Sequence, residues 1–176
     1  MGVYEIMTIR IIGAALILLG CGGFGVAIAK TAKNEIIALQ NFLLATEYMI
    51  CELRYRMTPL PDLCIATSQV TKGVVSSIFS SLGKGLKLEA SANVSACMAS
   101  ALSKYQMYSD KLTALFENLG QRLGIFDLEG QIEVLSSLRM EGKGLLQSCL
   151  NGHTTRSRSC KTIALCAGAA IVILMI

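Results

Sequence analysis

From Ile11 to Ala29 the chain runs 19 residues without a charge, with Arg10 before the run and Lys30 and Lys33 after it. As a helix rising about 1.5 Å per residue it would be ~28 Å long, close to the hydrocarbon thickness of a bilayer. The run predicts a transmembrane helix over 11–29. Whatever follows is then a tethered domain. The last 15 residues, 162–176, are also uncharged and follow Lys161. A helix of that length reaches only ~22 Å. It predicts a short second transmembrane helix, with Arg158 and Lys161 snorkelling and the bilayer thinning locally. A buried C-terminal core helix is the alternative reading of those residues.

Basic residues near the spans set the orientation of the middle domain, expected over 31–161. Lys30, Lys33, Arg156, Arg158 and Lys161 lie between the spans, and only Arg10 lies outside them. The domain is therefore expected to face the cytoplasm. Seven cysteines at irregular spacings, with no CxxC, argue against a disulfide framework or a zinc site and for reduced thiols. Hydrophobic residues are 53% of the chain and charged residues 16%, which is not the balance of an ordinary soluble enzyme. A net charge of +4 does not by itself indicate a nucleic-acid partner, and none is expected.

Two other patterns sit in the first span. Gly20, Gly22 and Gly25 spell G-x-G-x-x-G, but no second strand with a ribose-binding acid follows. The glycines read better as close-packing positions of a membrane helix. Leu18-Leu19-Gly20-Cys21 is similar to a lipobox. Acylation at Cys21 would make the chain a lipoprotein or extracytoplasmic sensor, and Lys30, Lys33 and the second span argue against it.

No alternating β pattern runs through the middle, which predicts an all-α antiparallel bundle of about six helices. Ile36, Leu39, Leu43, Thr46, Ile50, Leu53 and Met57 form a stripe along a first long helix, and Ile37, Leu44, Tyr48 and Cys51 widen it. Thr58-Pro59-Leu60-Pro61-Asp62 predicts a rigid corner, with Thr58 and Leu60 extended and Pro61 in the first turn of helix two. Helix two is expected to end near Gln69 or Thr71. A third apolar segment runs from Val74 to Leu82, and Gly83-Lys84-Gly85 reads as a loop. A fourth helix is expected from Glu89 to about Lys104. A fifth starts at the Ser109-Asp110 cap and ends at Gly124 in a left-handed conformation. Ile125 and Phe126 read as a short buried link. Asp127 caps a last helix with Ile132, Leu135, Leu138, Gly142, Leu145 and Cys149 on its face, and this helix frays or bends at Asn151-Gly152.

The catalytic inventory is thin. His153 is the one histidine. Glu47 and Glu52, the pair Glu129 and Glu133, and Arg54 with Arg56 read as solvated charges. Neither Gly83-Lys84-Gly85 nor Gly142-Lys143-Gly144 has P-loop spacing. No catalytic residue, metal, cofactor or small-molecule substrate is expected from this residue chemistry. It points to a membrane-tethered helical scaffold or adaptor.

Several motifs occur in a telling order. Leu19-Gly20-Cys21-Gly22-Gly23 lies in the first span. Glu52, Tyr55 and Thr58-Pro59-Leu60-Pro61, then Asp62-Leu63, close the long helix. Leu119-Gly120-Gln121-Arg122-Leu123-Gly124-Ile125-Phe126-Asp127, with Gln131, comes later, and a short apolar segment ends the chain. In these features the chain resembles the stage III sporulation protein AB family of endospore-forming Firmicutes. It departs from that family in carrying Ser-Ala-Cys-Met-Ala (95–99) where a tryptophan is usual. The resemblance implies a bundle like the cytoplasmic domain of the type II secretion F protein. It also implies a platform role in a secretion-like channel complex of the mother-cell membrane around the forespore. A stage III sporulation protein AA-like ATPase and other stage III sporulation membrane subunits would be the partners, beside the lipid bilayer. The candidate interaction residues are Thr58, Pro59, Leu60, Pro61 and Asp62 at the first corner. At the second they are Gly120, Leu123, Gly124 and Asp127. A structural role as helix corners is the competing reading of both sets.

Overall fold

The computed structural model describes residues 33–88, 93–105, 107 and 109–175, with side chains as far as 151. The described residues form six α-helices and no strand. They are α1 (Lys33–Arg56), α2 (Leu60–Val70), α3 (Gly73–Leu88), α4 (Val94–Ser103), α5 (Asp110–Arg122) and α6 (Leu128–Met175). Residues Asn34–Cys149 form one unit, a bundle; Met1–Lys33 and Leu150–Ile176 form a second. The span expected at 11–29, with Cys21, lies outside the described residues. In the second unit the backbone of α6 stays helical to Met175. It therefore passes through Asn151-Gly152 without the expected fraying; a helix-interior glycine costs only ~1 kcal/mol. The side chains of 162–176 and of His153 are not among those described.

Neighbouring helices of the bundle run antiparallel. Lys87 near the end of α3 meets Asp62 at the start of α2, 2.6 Å apart. Cys97 of α4 lies beside Gly85 of α3. The first and last helices meet at three levels: Cys149 lies beside Glu35, Gly142 packs on Leu43, and Arg139 pairs with Glu47 at 2.8 Å.

Phe116 of α5 is the centre of the core. It meets Phe42 of α1 edge-on, with ring centroids 5.1 Å apart, and Phe79 of α3 at 5.9 Å. Edge-to-face packing suits the aromatic quadrupole and adds about 0.5–1.5 kcal/mol beyond burial. Around them lie Leu39, Met49, Leu63, Ile78, Leu82, Met98, Leu112, Leu115 and Leu119, all essentially without exposure. The buried face of α1 is Ala38, Leu39, Phe42, Ala45, Thr46, Met49 and Leu53. That stripe is rotated from the expected one. Ile37, Leu44, Cys51 and Met57 are exposed, because α1 is apolar on more of its circumference than its neighbours cover. By length and composition alone α1 would pass for a membrane span. Its buried face makes it a core helix.

Three local expectations are corrected. Gly83-Lys84-Gly85 is no loop but lies inside α3. A Cβ on Gly83 would lie 2.7 Å from Ile65 Cγ1 and 3.0 Å from the Pro61 carbonyl, so this glycine lets α2 and α3 touch. Leu60 is helical, not extended. Pro59 is the N-cap of α2, and its carbonyl accepts from Leu63 N–H at 2.9 Å. The pre-proline bias at Leu60 yields because Leu60 packs against the core. Helix α4 starts at Val94, where the Asn93 side chain accepts from Ser95 N–H at 3.0 Å.

Candidate functional site

Two chain corners build one end of the bundle. At the first, α1 ends at Arg56 and Met57 takes a left-handed φ of 49°. Residues with a Cβ pay steric strain there. Glu52 organises the turn. Its carboxylate accepts from Thr58 Oγ1 at 3.0 Å and pairs with Arg56 at 3.4 Å. Burial, and then the hydrogen bond to Glu52, push the Tyr48 hydroxyl above its usual pKa. At the second corner, the Leu123 N–H reaches the Leu119 carbonyl at 2.9 Å, and Gly124 turns the chain at φ +82°. This is the left-handed exit that the sequence predicts. Asp127 caps α6 as expected, its Oδ1 accepting from Gly130 N–H at 3.1 Å. Gln131 Nε2 donates to the Phe126 carbonyl at 2.9 Å and ties the link down.

The corners meet where a Cβ on Gly124 would stand 3.3 Å from Leu60 Cδ2. Between them opens a shallow cleft of about 360 Å³. Leu53, Met57, Thr58, Pro59 and Leu60 line one wall; Phe126, Asp127, Leu128 and Gln131 line the other. The link expected to be buried is not: Ile125 is 70% exposed and Phe126 48%. No helical stripe carries these two residues inward, since they follow the glycine that ends α5. Tyr55, Met57 and Leu88 are exposed at the same end. Five of the ten exposed large hydrophobics among the described residues therefore gather at one end.

The residues singled out from sequence separate into two groups. Thr58, Pro59, Leu60 and Asp127 line the cleft. Pro61 and Asp62 continue the first wall into α2, Asp62 being held by Lys87. Gly124 forms the joint. Gly120 and Leu123 sit in the core instead; a Cβ on Gly120 would fall 2.6 Å from Met98 Cβ. Sequence reasoning missed Glu52, Met57 and Phe126. The signal for Glu52 was its i,i+4 relation to Tyr48 and Arg56.

Thr58, Asp127 and Gln131 already hold protein partners. What the cleft offers a visitor is apolar surface, suited to a protruding apolar side chain. Among the described residues no group of three His, Cys, Asp or Glu can hold a metal ion. Burial pushes the Cys64 thiol up to about 12, which removes it as a nucleophile near neutral pH.

Fold and cleft together define an all-α bundle protein with an apolar end. The family described as stage III sporulation protein AB matches residues 10–176, and the chain belongs to that family. Its role is thereby a sporulation role. Among solved structures, one of stage III sporulation protein AB is similar with a TM-score of 0.60 and 16% identity, over 69% of this chain and 97% of that one. At that identity the likeness speaks for the fold. Comparison with curated proteins finds no match.

Proposed function

We propose that the chain is a non-enzymatic, membrane-anchored platform whose apolar cleft docks a cytoplasmic partner during sporulation. The carrying observation is the convergence of the two corners at the end of the bundle away from its chain exits. Asn34 and Cys149 bound the bundle, and Glu35 lies close enough to Cys149 to act on its thiol, so the two exits are neighbours. The cleft lies at the other end of α1, ~30 Å away by helix rise. Segments at 11–29 and 162–176 would anchor the chain in the mother-cell membrane, with the bundle on its cytoplasmic side. The family resemblance makes a stage III sporulation protein AA-like ATPase the first partner to test, within a secretion-like channel complex that supports forespore development.

Co-purification of the full chain with that ATPase tests the reading. Phe126→Ser removes an exposed apolar wall without opening the core. It should weaken binding at least tenfold while moving Tm by less than ~2 °C, as surface substitutions do. Unchanged binding would reject the cleft as the docking site.

A further inference from the structure

Helix α1 carries a second apolar stripe, on the side away from the core. Ile37, Leu44 and Cys51 follow one another at intervals of seven residues, and Tyr48 and Tyr55 repeat the same interval. Ile37, Leu44, Cys51 and Tyr55 are exposed, and Tyr48 is partly so. Helical spacing sets these five residues opposite the buried Leu39, Thr46 and Leu53. Helix α6 borders the stripe on one flank, through Leu43–Gly142 and Glu47–Arg139. The α2–α3 connection borders it on the other, where Lys72 N–H donates to Asn41 Oδ1 at 2.8 Å. A seven-residue apolar repeat is the pattern by which helices pair along a seam. The cleft takes Leu53 and Met57 from α1, so the stripe is a separate surface.

We propose that this stripe pairs with the same stripe of a second copy of the chain, the two α1 helices running antiparallel about a two-fold axis between Tyr48 and Cys51. Leu44 then faces the partner's Tyr55, and Tyr48 faces the partner's Cys51. The flanking charges decide both partner and direction. Glu47 and Arg54 stand seven residues apart along one flank of the stripe. Under that axis each Glu47 comes beside the partner's Arg54, so the same ion pair forms twice. Arg139 holds one oxygen of Glu47 at 2.8 Å and fixes the carboxylate at the rim, while 54% of the Glu47 side chain stays exposed to a second cation. A parallel pair would instead set Glu47 toward the partner's Glu52, acid against acid. Lys33, also on this side of α1, falls outside the paired stretch. A helix face that lies on lipid carries Lys and Arg along its flanks. Along the paired stretch α1 flanks its stripe with Glu47, Glu52 and Arg54, which suits a protein partner better. The two clefts lie at opposite ends of such a pair.

The test reads the shielding of Cys51, the exposed cysteine of α1. The full chain is reconstituted in phosphatidylcholine liposomes, and N-ethylmaleimide labelling of Cys51 is followed by mass spectrometry. Pairing obeys mass action, so diluting the protein about a hundredfold in lipid should speed the labelling roughly threefold or more. Leu44→Glu puts a charge on the stripe, and Arg54→Glu sets acid against acid; both variants should label fast at every density. Met140→Ser removes an exposed apolar side chain of α6 and should behave as the parent chain does. Buried Cys64 stays unlabelled while the fold is intact, which separates loss of pairing from unfolding. Fast labelling of the parent chain at every density overturns the pairing. Slow labelling at every density in the parent and both variants puts lipid on the stripe and overturns it as well. A density dependence that Arg54→Glu leaves intact overturns the antiparallel arrangement. The inference does not rest on the membrane anchors: a chain recovered outside the liposomes is diluted in buffer and read in the same way.

Discussion

Two glycines show how much depends on one missing carbon. Gly120 has Met98 Cβ and Cγ where its own Cβ would go, at 2.6 and 2.7 Å, and the Met98 Cβ cannot swing away. Gly120→Ala should therefore cost about 1–3 kcal/mol in urea unfolding. Gly144, in α6, faces open space, so Gly144→Ala should stabilise by about 0.5–1 kcal/mol through helix propensity. Equal effects at both sites would contradict the packing. Cys64 gives a pH signature. Its folded pKa, about 12, lies above the usual thiol value near 8.5, so folding favours the protonated form. Its contribution is intact below pH ~8.5 and falls by roughly 1.4 kcal/mol per pH unit above it, toward the folded value. Unfolding curves at pH 7.5, 9 and 10 should show a shallower alkaline decline for Cys64→Ala than for the parent chain.

Helix boundaries test the caps. Asn93→Ala and Asp127→Ala should each cost ~1 kcal/mol; Ser109→Ala should cost less, since its bond to Leu112 N–H is 3.4 Å long. Thermal melts would rank them. The caps at Ser109 and Asp127 were legible because they depend on side chains next to the turn. So was the turn at Gly124, which needs a left-handed backbone. Gly83 was not: a glycine that ends a helix and one that lets two helices touch look alike until the partner, here Ile65, is known. The rotated face of α1 has the same cause, since 3.6-residue periodicity offered two adjacent stripes and tertiary partners such as Phe116 and Gly142 decide between them. For the cleft, the sequence supplied the two corners separately. Their meeting through Leu60 and Gly124 is a tertiary fact that local pattern does not hold. Phe126 was misplaced for a related reason: an apolar residue in a short link reads as core unless something says which way the link faces.

For the whole molecule, orientation across the membrane is the open prediction. Cys51 is exposed on α1, and Cys64 is buried. A membrane-impermeant maleimide should leave Cys51 unlabelled in intact cells and label it after permeabilisation, while Cys64 reacts only on unfolding. Labelling of Cys51 from outside would favour the extracytoplasmic lipoprotein instead. The three levels at which α1 and α6 meet have a mechanical consequence. Both exits sit at one end, and the rungs from Glu35–Cys149 through Leu43–Gly142 to Glu47–Arg139 lie in sequence behind them. A load that pulls Asn34 away from Cys149 strains one rung at a time, like a zip opened from its foot. Such a fold gives way gradually under small forces, and its resistance to pulling says little about its resistance to heat.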